Sequence, residues 1–362
     1  MTQSLHTPLC DLLGCRYPIV QTAMGYVADA RLVAATANAG GFGFLAGVTI
    51  APEQLEQEIL RVKSLTDRPF GLNFHMYQPN AAEAIELAIK HQVRAVSFGR
   101  GPDKASIARL KDAGILIMPT VGAVKHALKA VEMGADIVTV QGGEGGGHTG
   151  GAATSILLPQ TLDAVRVPVV AAGGFFDGRG LAAAMAYGAV GIAMGTRFLM
   201  TAESPVPRST LDRYLAVRDA AQIRVSEALD GLPQRMIDNE FLLQLENSTG
   251  LRRLLMSLAT AWKWKGQTGM SALQLLSTGV RALRADDATV SRVLMAANAP
   301  VVIQRAMVEG HPAEGVLPSG QVAAVIDALP TVAELIENIV AQAQERIASL
   351  AQLQHSPSEE IA

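Results

Sequence analysis

Short, continuously apolar runs alternate with Ala-rich stretches of helical periodicity from the N-terminus to about residue 200. The runs fall at 18–24, 42–47, 69–76, 95–99, 116–122, 136–142, 168–174 and 191–198. Helical stretches lie between them at 29–40, 52–66, 80–91, 103–113, 123–133 and 179–187. Strands buried on both faces read as unbroken apolar segments, and IVQTAM, FGFLAG and PVVAAGG do so. Strict alternation predicts a parallel sheet with right-handed crossovers, an α/β fold. Eight units are the count for a closed (β/α)8 barrel of the TIM type, and a doubly wound open sheet is the structural rival. Glycines cluster just after the sixth, seventh and eighth runs, which favours the barrel, where those strand ends build the active face.

Residues 205–315 have a different texture: glycine thins and apolar periods of three and four appear at 251–258 and 272–283. They predict a mainly helical accessory segment, either a cap over the barrel mouth or a flank. Residues 1–204 and 316–354 then form the barrel, closed by a helix over 331–350 that starts after Pro330. Residues 355–362 are expected to be loose.

Composition narrows the classes. The chain has 362 residues, 49% hydrophobic and only 4% aromatic, so aliphatic side chains must build the core. Thirty basic residues face 33 acidic ones without a long basic stripe, which argues against nucleic acid. No apolar run approaches a membrane span, and the start lacks the pattern of a signal peptide, so a cytoplasmic protein is expected. Two cysteines without zinc-ligand spacing predict neither a disulfide framework nor a metal site.

The chemistry concentrates in VQGGEGGGHTGG, residues 140–151, where a strand enters a loop of glycines carrying Gln141, Glu144 and His148. Glycine lets backbone approach a ligand closely but builds no core, so such density suits a flat ligand. His148 among these glycines is read as a proton acceptor, because imidazole titrates nearest neutrality. Gly145, Gly147 and Gly150 match the dinucleotide fingerprint by glycine density alone, without the βαβ context it needs. Backbone amides at Gly173, Gly174, Gly195 and Thr196 suit one phosphate. Arg197 is read either as a structural anchor or as an aid to that phosphate. Met24, Gly25 and Asn73, at the ends of the first and third runs, suit the face and edge of a planar heterocycle.

Five motifs in order, PIVQTAMG, GLNF, VQGGEGGGHTG, AAGG and MGTRF, resemble the nitronate monooxygenase (2-nitropropane dioxygenase) family of FMN-dependent barrels. The likeness spans about residues 7–200 and resumes at 315–321. It implies that Met24 and Gly25 lie against the flavin, that Asn73 and Gln141 contact its ring, and that Gly146 and Gly147 pass close to it. It further implies that Gly173, Gly174, Gly195 and Thr196 take the FMN phosphate, that His148 is the catalytic base, and that Lys125 and Gln321 are outlying cofactor contacts. The usual EAGGH reads EGGGH in this chain.

WKWKGQTGMS, VLMAANAP and EGVLPSGQVA are similar to flavin proteins of steroid C/D-ring breakdown. That likeness implies oxidation of a hydroxyl on a bicyclic steroid-remnant (hydroxy-methyl-oxo-octahydroindene carboxyl) CoA thioester. Between Glu246 and Asp286 there is no acid, yet Arg252, Arg253, Lys263 and Lys265 stand there, a positive field suited to CoA phosphates or an ordinary solvated helix face. Oxidation of alkyl nitronates with O2, and NAD(P)H-dependent reduction of a quinone or enoyl group, are the rival activities on this scaffold. Reduced flavin needs an electron acceptor that the pattern leaves open, and the apolar accessory half suits a homodimer.

Overall fold

The computed structural model describes residues 5–247, save 77, 79 and 100, and residues 290–353. Its centre is a ring of parallel strands: β1 (Ile19–Gln21), β2 (Phe42–Ala46), β3 (Gly71–Asn73), β4 (Ala95–Ser97), β5 (Leu116–Ile117 with Thr120–Val121), β6 (Val138–Gln141), β7 (Val169–Ala172) and β8 (Gly191–Met194). β1 pairs with β2 on one side and β8 on the other, with Val20 opposite Phe42 and Ala193. Pairing continues from β2 to β4 and from β8 back to β6. The two arms meet on β5, whose first half pairs with β4 and whose second half pairs with β6. Pro119 explains the break between the halves, because it has no N–H to give a ladder. Its carbonyl still accepts from Thr139 N at 2.9 Å, and Met118 N donates to Val96 O at 2.9 Å. The predicted eight-stranded barrel is therefore a closed ring, and the open sheet is excluded.

Alternation along each strand sorts the core into two layers, because successive side chains point to opposite faces. Val20, Phe42, Phe44, Ala95, Val170, Ala172 and Ala193 fill the barrel interior as one cluster. Ile19, Leu45, Leu72, Val96, Val138, Val169 and Ile192 face the surrounding helices in another. A short N-terminal helix, Pro8–Leu13, which the apolar pattern does not announce, brings Leu9 and Leu13 into the interior cluster. A Cβ on Gly191 would fall 2.7 Å from the Leu9 Cδ2, so that plug needs glycine opposite it.

Helix starts follow their capping residues. Asp29 accepts from Leu32 N, Asp103 from Ser106 N and Asp177 from Gly180 N. The closing helix, Val332–Gln352, begins at a capping box of Thr331 and Glu334. Its buried face, Leu335, Ile336, Ile339, Val340 and Ala343, docks beside the Gly178–Tyr187 helix. A Cβ on Gly178 would meet Ile339 O at 2.3 Å, so the two helices touch backbone to backbone.

Within 205–315 the described part holds helices Arg208–Leu215, Glu240–Glu246 and Val290–Met307. It also holds an antiparallel pair, Ile223–Ser226 with Gln234–Ile237, that the helical reading does not foresee. Gln234–Ile237 pairs in turn with Gly147–His148 of the glycine loop. The apolar periods at 251–258 and 272–283 lie outside the described residues, as do Arg252, Arg253, Lys263, Lys265 and the tail 355–362.

Candidate active site

All eight strands point one way, so their carboxyl ends share one rim, and the sequence motifs meet there. Met24 follows β1 and reaches β8: a Cβ on Gly195 would lie 3.5 Å from its sulfur. Gly25 packs on Thr49, whose Cγ2 would be 2.8 Å from an added Cβ. At the end of β3, Asn73 Nδ2 donates to Ser97 O at 3.0 Å and Ser97 Oγ at 3.1 Å, which fixes its amide plane. Lys125 is exposed in the first turn of the helix after β5 (Val124–Met133), and Gln321 opens the short Gln321–Val325 helix.

The glycine loop after β6 is sewn to its neighbours through the backbone. Gly142 N donates to Ala172 O at 2.9 Å, and Gly143 N to Ala152 O at 2.7 Å. Gln321 N donates to Glu144 O at 2.9 Å, while Gly320 N donates to Thr196 Oγ1 at 2.9 Å. Gly146 is where this second segment lies closest, with Gly320 N only 2.5 Å from an added Cβ. Glu144 turns its carboxylate onto Thr154 N at 3.0 Å and Thr154 Oγ1 at 2.8 Å. It thereby serves the start of the Thr154–Ala164 helix that crosses to β7. Gly143, Glu144, Gly151, Arg235 and Gln321 are among the residues lining a cavity of about 660 Å³.

His148 ends the glycine run of that loop, its side chain 59% exposed. Gln141 Nε2 donates to His148 O at 3.0 Å, so the strand end holds the backbone that carries the imidazole. His148 Nε2 is 2.8 Å from Asp230 Oδ2, and the Asp230 side chain is only 9% exposed. Asp230 lies in the turn of the antiparallel pair, which pairing of Gln234 with His148 brings over the loop. Sequence reasoning misses Asp230 altogether; the turn-like DGLP at 230–233 between two alternating stretches is the signal available for it. Arg235 is a second residue missed. Its Nε donates to Gly143 O at 2.8 Å, and burial lowers its pKa against the opposing charge of Glu144.

Arg197 resolves between its two readings. Its guanidinium is buried and donates to Met200 O and, at 2.9 Å, to Ala328 O, clamping the chain beyond β8 to the residues before the closing helix. Burial pushes its pKa down to about 10, partly opposed by Asp327. It is a structural anchor.

Gly173 and Gly174 turn away from β7 in the left-handed region, φ 92° and 83°, which L side chains rarely adopt. Together with Gly195 and Thr196, which follow the adjacent β8, they leave four backbone N–H groups without an acceptor among the described residues. Unpaired donors at two neighbouring strand ends fit an anionic group such as a phosphate. Met24 and Asn73 stand on the same rim, after β1 and at the end of β3. The rim therefore fits a flavin nucleotide. Among the described residues no His, Cys, Asp or Glu group could hold a metal, and no helix is long and apolar enough to cross a membrane.

Comparison with known proteins agrees. The family model described as nitronate monooxygenase matches residues 6–342. The chain is 49% identical, over 97% of its length and 99% of the relative's, to a (3aS,4S,5R,7aS)-5-hydroxy-7a-methyl-1-oxo-octahydro-1H-indene-4-carboxyl-CoA dehydrogenase of Rhodococcus jostii (strain RHA1). A protein of the same name from Mycobacterium tuberculosis (strain ATCC 25618 / H37Rv) is 47% identical over 94% of this chain and 96% of that one. Among solved structures, FabK from Thermotoga maritima superposes with a TM-score of 0.76 at 30% identity, covering 96% of this chain and 99% of that one. Nitroalkane oxidase from Streptomyces ansochromogenes does so with 0.72 at 30% identity, covering 94% and 99%. A glycine-lined rim on a closed barrel, an imidazole beside it and a match along nearly the whole chain lead to one conclusion: the chain belongs to the nitronate monooxygenase family of flavin-dependent oxidoreductases.

Proposed function

We propose that this protein is an FMN-dependent dehydrogenase that oxidises the hydroxyl of a bicyclic, octahydroindene-type CoA thioester left from steroid breakdown. The observation that carries the reading is His148, exposed beside the glycine loop with one ring nitrogen bound to a buried carboxylate. The near full-length similarity to two dehydrogenases named for that substrate supports the choice of alcohol over nitronate.

In this reading Gly173, Gly174, Gly195 and Thr196 hold the FMN phosphate through their amides. Met24, Gly25, Asn73, Gln141, Gly146 and Gly147 would border its ring. Lys125 and Gln321 are outlying contacts. The bound flavin supplies a hydride acceptor, its N5. His148 takes the hydroxyl proton as the carbinol carbon loses hydride, leaving a ketone, and much of the rate comes from holding donor carbon and base in line. Turnover would also need a separate electron acceptor. Residues 205–315 act as the accessory unit beside a barrel of 1–204 and 316–354, and the positive charge of Arg252, Arg253, Lys263 and Lys265 would serve the CoA phosphates.

Anaerobic mixing tests this. The hydroxyacyl-CoA should bleach the oxidised flavin and propyl-2-nitronate should not; the reverse outcome would overturn the substrate. His148→Ala should keep its flavin and be reduced about 10²-fold or more slowly, as expected for lost general-base catalysis. Unchanged reduction in that variant would remove His148 from the mechanism.

A further inference from the structure

We propose that Asp230 is a positioning residue that fixes the proton of His148 on Nε2 and so makes Nδ1 the nitrogen that accepts the substrate proton. The inference rests on the reading of His148 as the acid/base. An ionised carboxylate only accepts hydrogen bonds, so the ring nitrogen 2.8 Å from Asp230 Oδ2 carries the hydrogen. In the neutral imidazole the lone pair then belongs to Nδ1, and the side chain, 59% exposed, has no other hydrogen-bond partner among the described residues.

The carboxylate is itself held. Gln234 Nε2 donates to Oδ2 at 2.6 Å and Leu232 N donates to Oδ1 at 3.0 Å. Gln234 is the residue directly opposite His148 in the antiparallel pair, and paired residues project to the same face. One register thus brings Gln234, His148 and Asp230 together. Other charges nearby are engaged elsewhere: Arg235 donates to Gly143 O and Ile223 O, and Glu144 is bound to Thr154.

The consequence is chemical as well as geometric. When Nδ1 takes the hydroxyl proton, the ring becomes a cation, and the carboxylate on Nε2 stabilises that charge and holds the ring in place. The base therefore has two halves, one on the barrel loop and one on a hairpin of the following segment.

Long-range 1H–15N correlation of the holoenzyme labelled at histidine reads the tautomer without turnover. Wild type should show His148 protonated at Nε2, and a ring protonated at Nδ1 overturns the proposal without any variant. Asp230→Asn keeps the size but gives the position a donor, so the Nε2–H tautomer should lose its dominance. kcat should fall at least 10²-fold with KM within about threefold and the flavin spectrum unchanged, a loss of the size expected when a base loses its orienting carboxylate. Asp230→Glu should recover part of kcat and the Nε2–H tautomer. If Asp230→Asn keeps the wild-type kcat or tautomer while His148→Ala is slow, the inference fails and the functional reading stands. If His148→Ala is as fast as wild type, the functional reading itself fails. Equal losses in Asp230→Asn and Asp230→Glu, with an altered flavin spectrum and an unchanged tautomer, would mean a structural role only and would also overturn the proposal.

Discussion

Gly146→Ala tests whether the glycine loop is built for close backbone contact. The added Cβ would sit 2.5 Å from Gly320 N and 2.6 Å from Ser319 C. Neither atom belongs to a side chain that can swing aside. The two backbones must part by about 1 Å to reach ordinary contact, in an interior packed as densely as a crystal. The displaced segment carries two hydrogen bonds, Gly320 N to Thr196 Oγ1 and Gln321 N to Glu144 O, each 2.9 Å. Overpacking of about 1–3 kcal/mol, plus weakening of two bonds worth about 1 kcal/mol each, gives about 2–4 kcal/mol. A chain of this size should then melt roughly 3–5 °C lower. Because His148 stands two residues further on, a shift of about 1 Å should also slow turnover about 10²-fold. Gly151→Ala is the control. Its Cβ meets nothing within 4 Å, so it should stay within about 0.5 kcal/mol of wild type. Thermal melts and kcat of both variants decide the matter. Wild-type melting and turnover in Gly146→Ala, or equal losses in both variants, would refute the argument from close approach.

Thr331→Ala removes the hydroxyl that accepts from Glu334 N at 3.2 Å and should destabilise the protein by about 1 kcal/mol, read as a lower denaturant midpoint with unchanged kcat. Burial raises the phenol of Tyr26 to about 12, and burial raises that of Tyr214 as well. Folding therefore holds these protons longer than the unfolded chain does. Their contribution is complete below about pH 10, the ordinary tyrosine value, and falls as pH climbs from there toward 12. Denaturation followed across that range should show the decline, with a smaller slope in Tyr26→Phe; an equal slope would remove Tyr26 as a cause.

The sequence by itself determined the eight strands, the rim they share, and the glycine, histidine and asparagine positions that meet on it. Those features are legible because apolar runs, backbone permissiveness and capping depend on residues within a turn or two of one another. Pro330 ahead of the closing helix marks its start in just this way. Three things needed the tertiary structure. The fifth strand is one apolar run in the sequence, yet Pro119 splits it so that its halves close the ring on different neighbours. Arg197 is equally suited by sequence to a phosphate or to carbonyls, and burial beside Met200 O and Ala328 O selects the latter. Asp230 stands 82 residues from His148, and no local pattern links them. Their contact is set by the register of a hairpin against the glycine loop, a long-range pairing whose partners the chain specifies only once its own surfaces have been brought face to face.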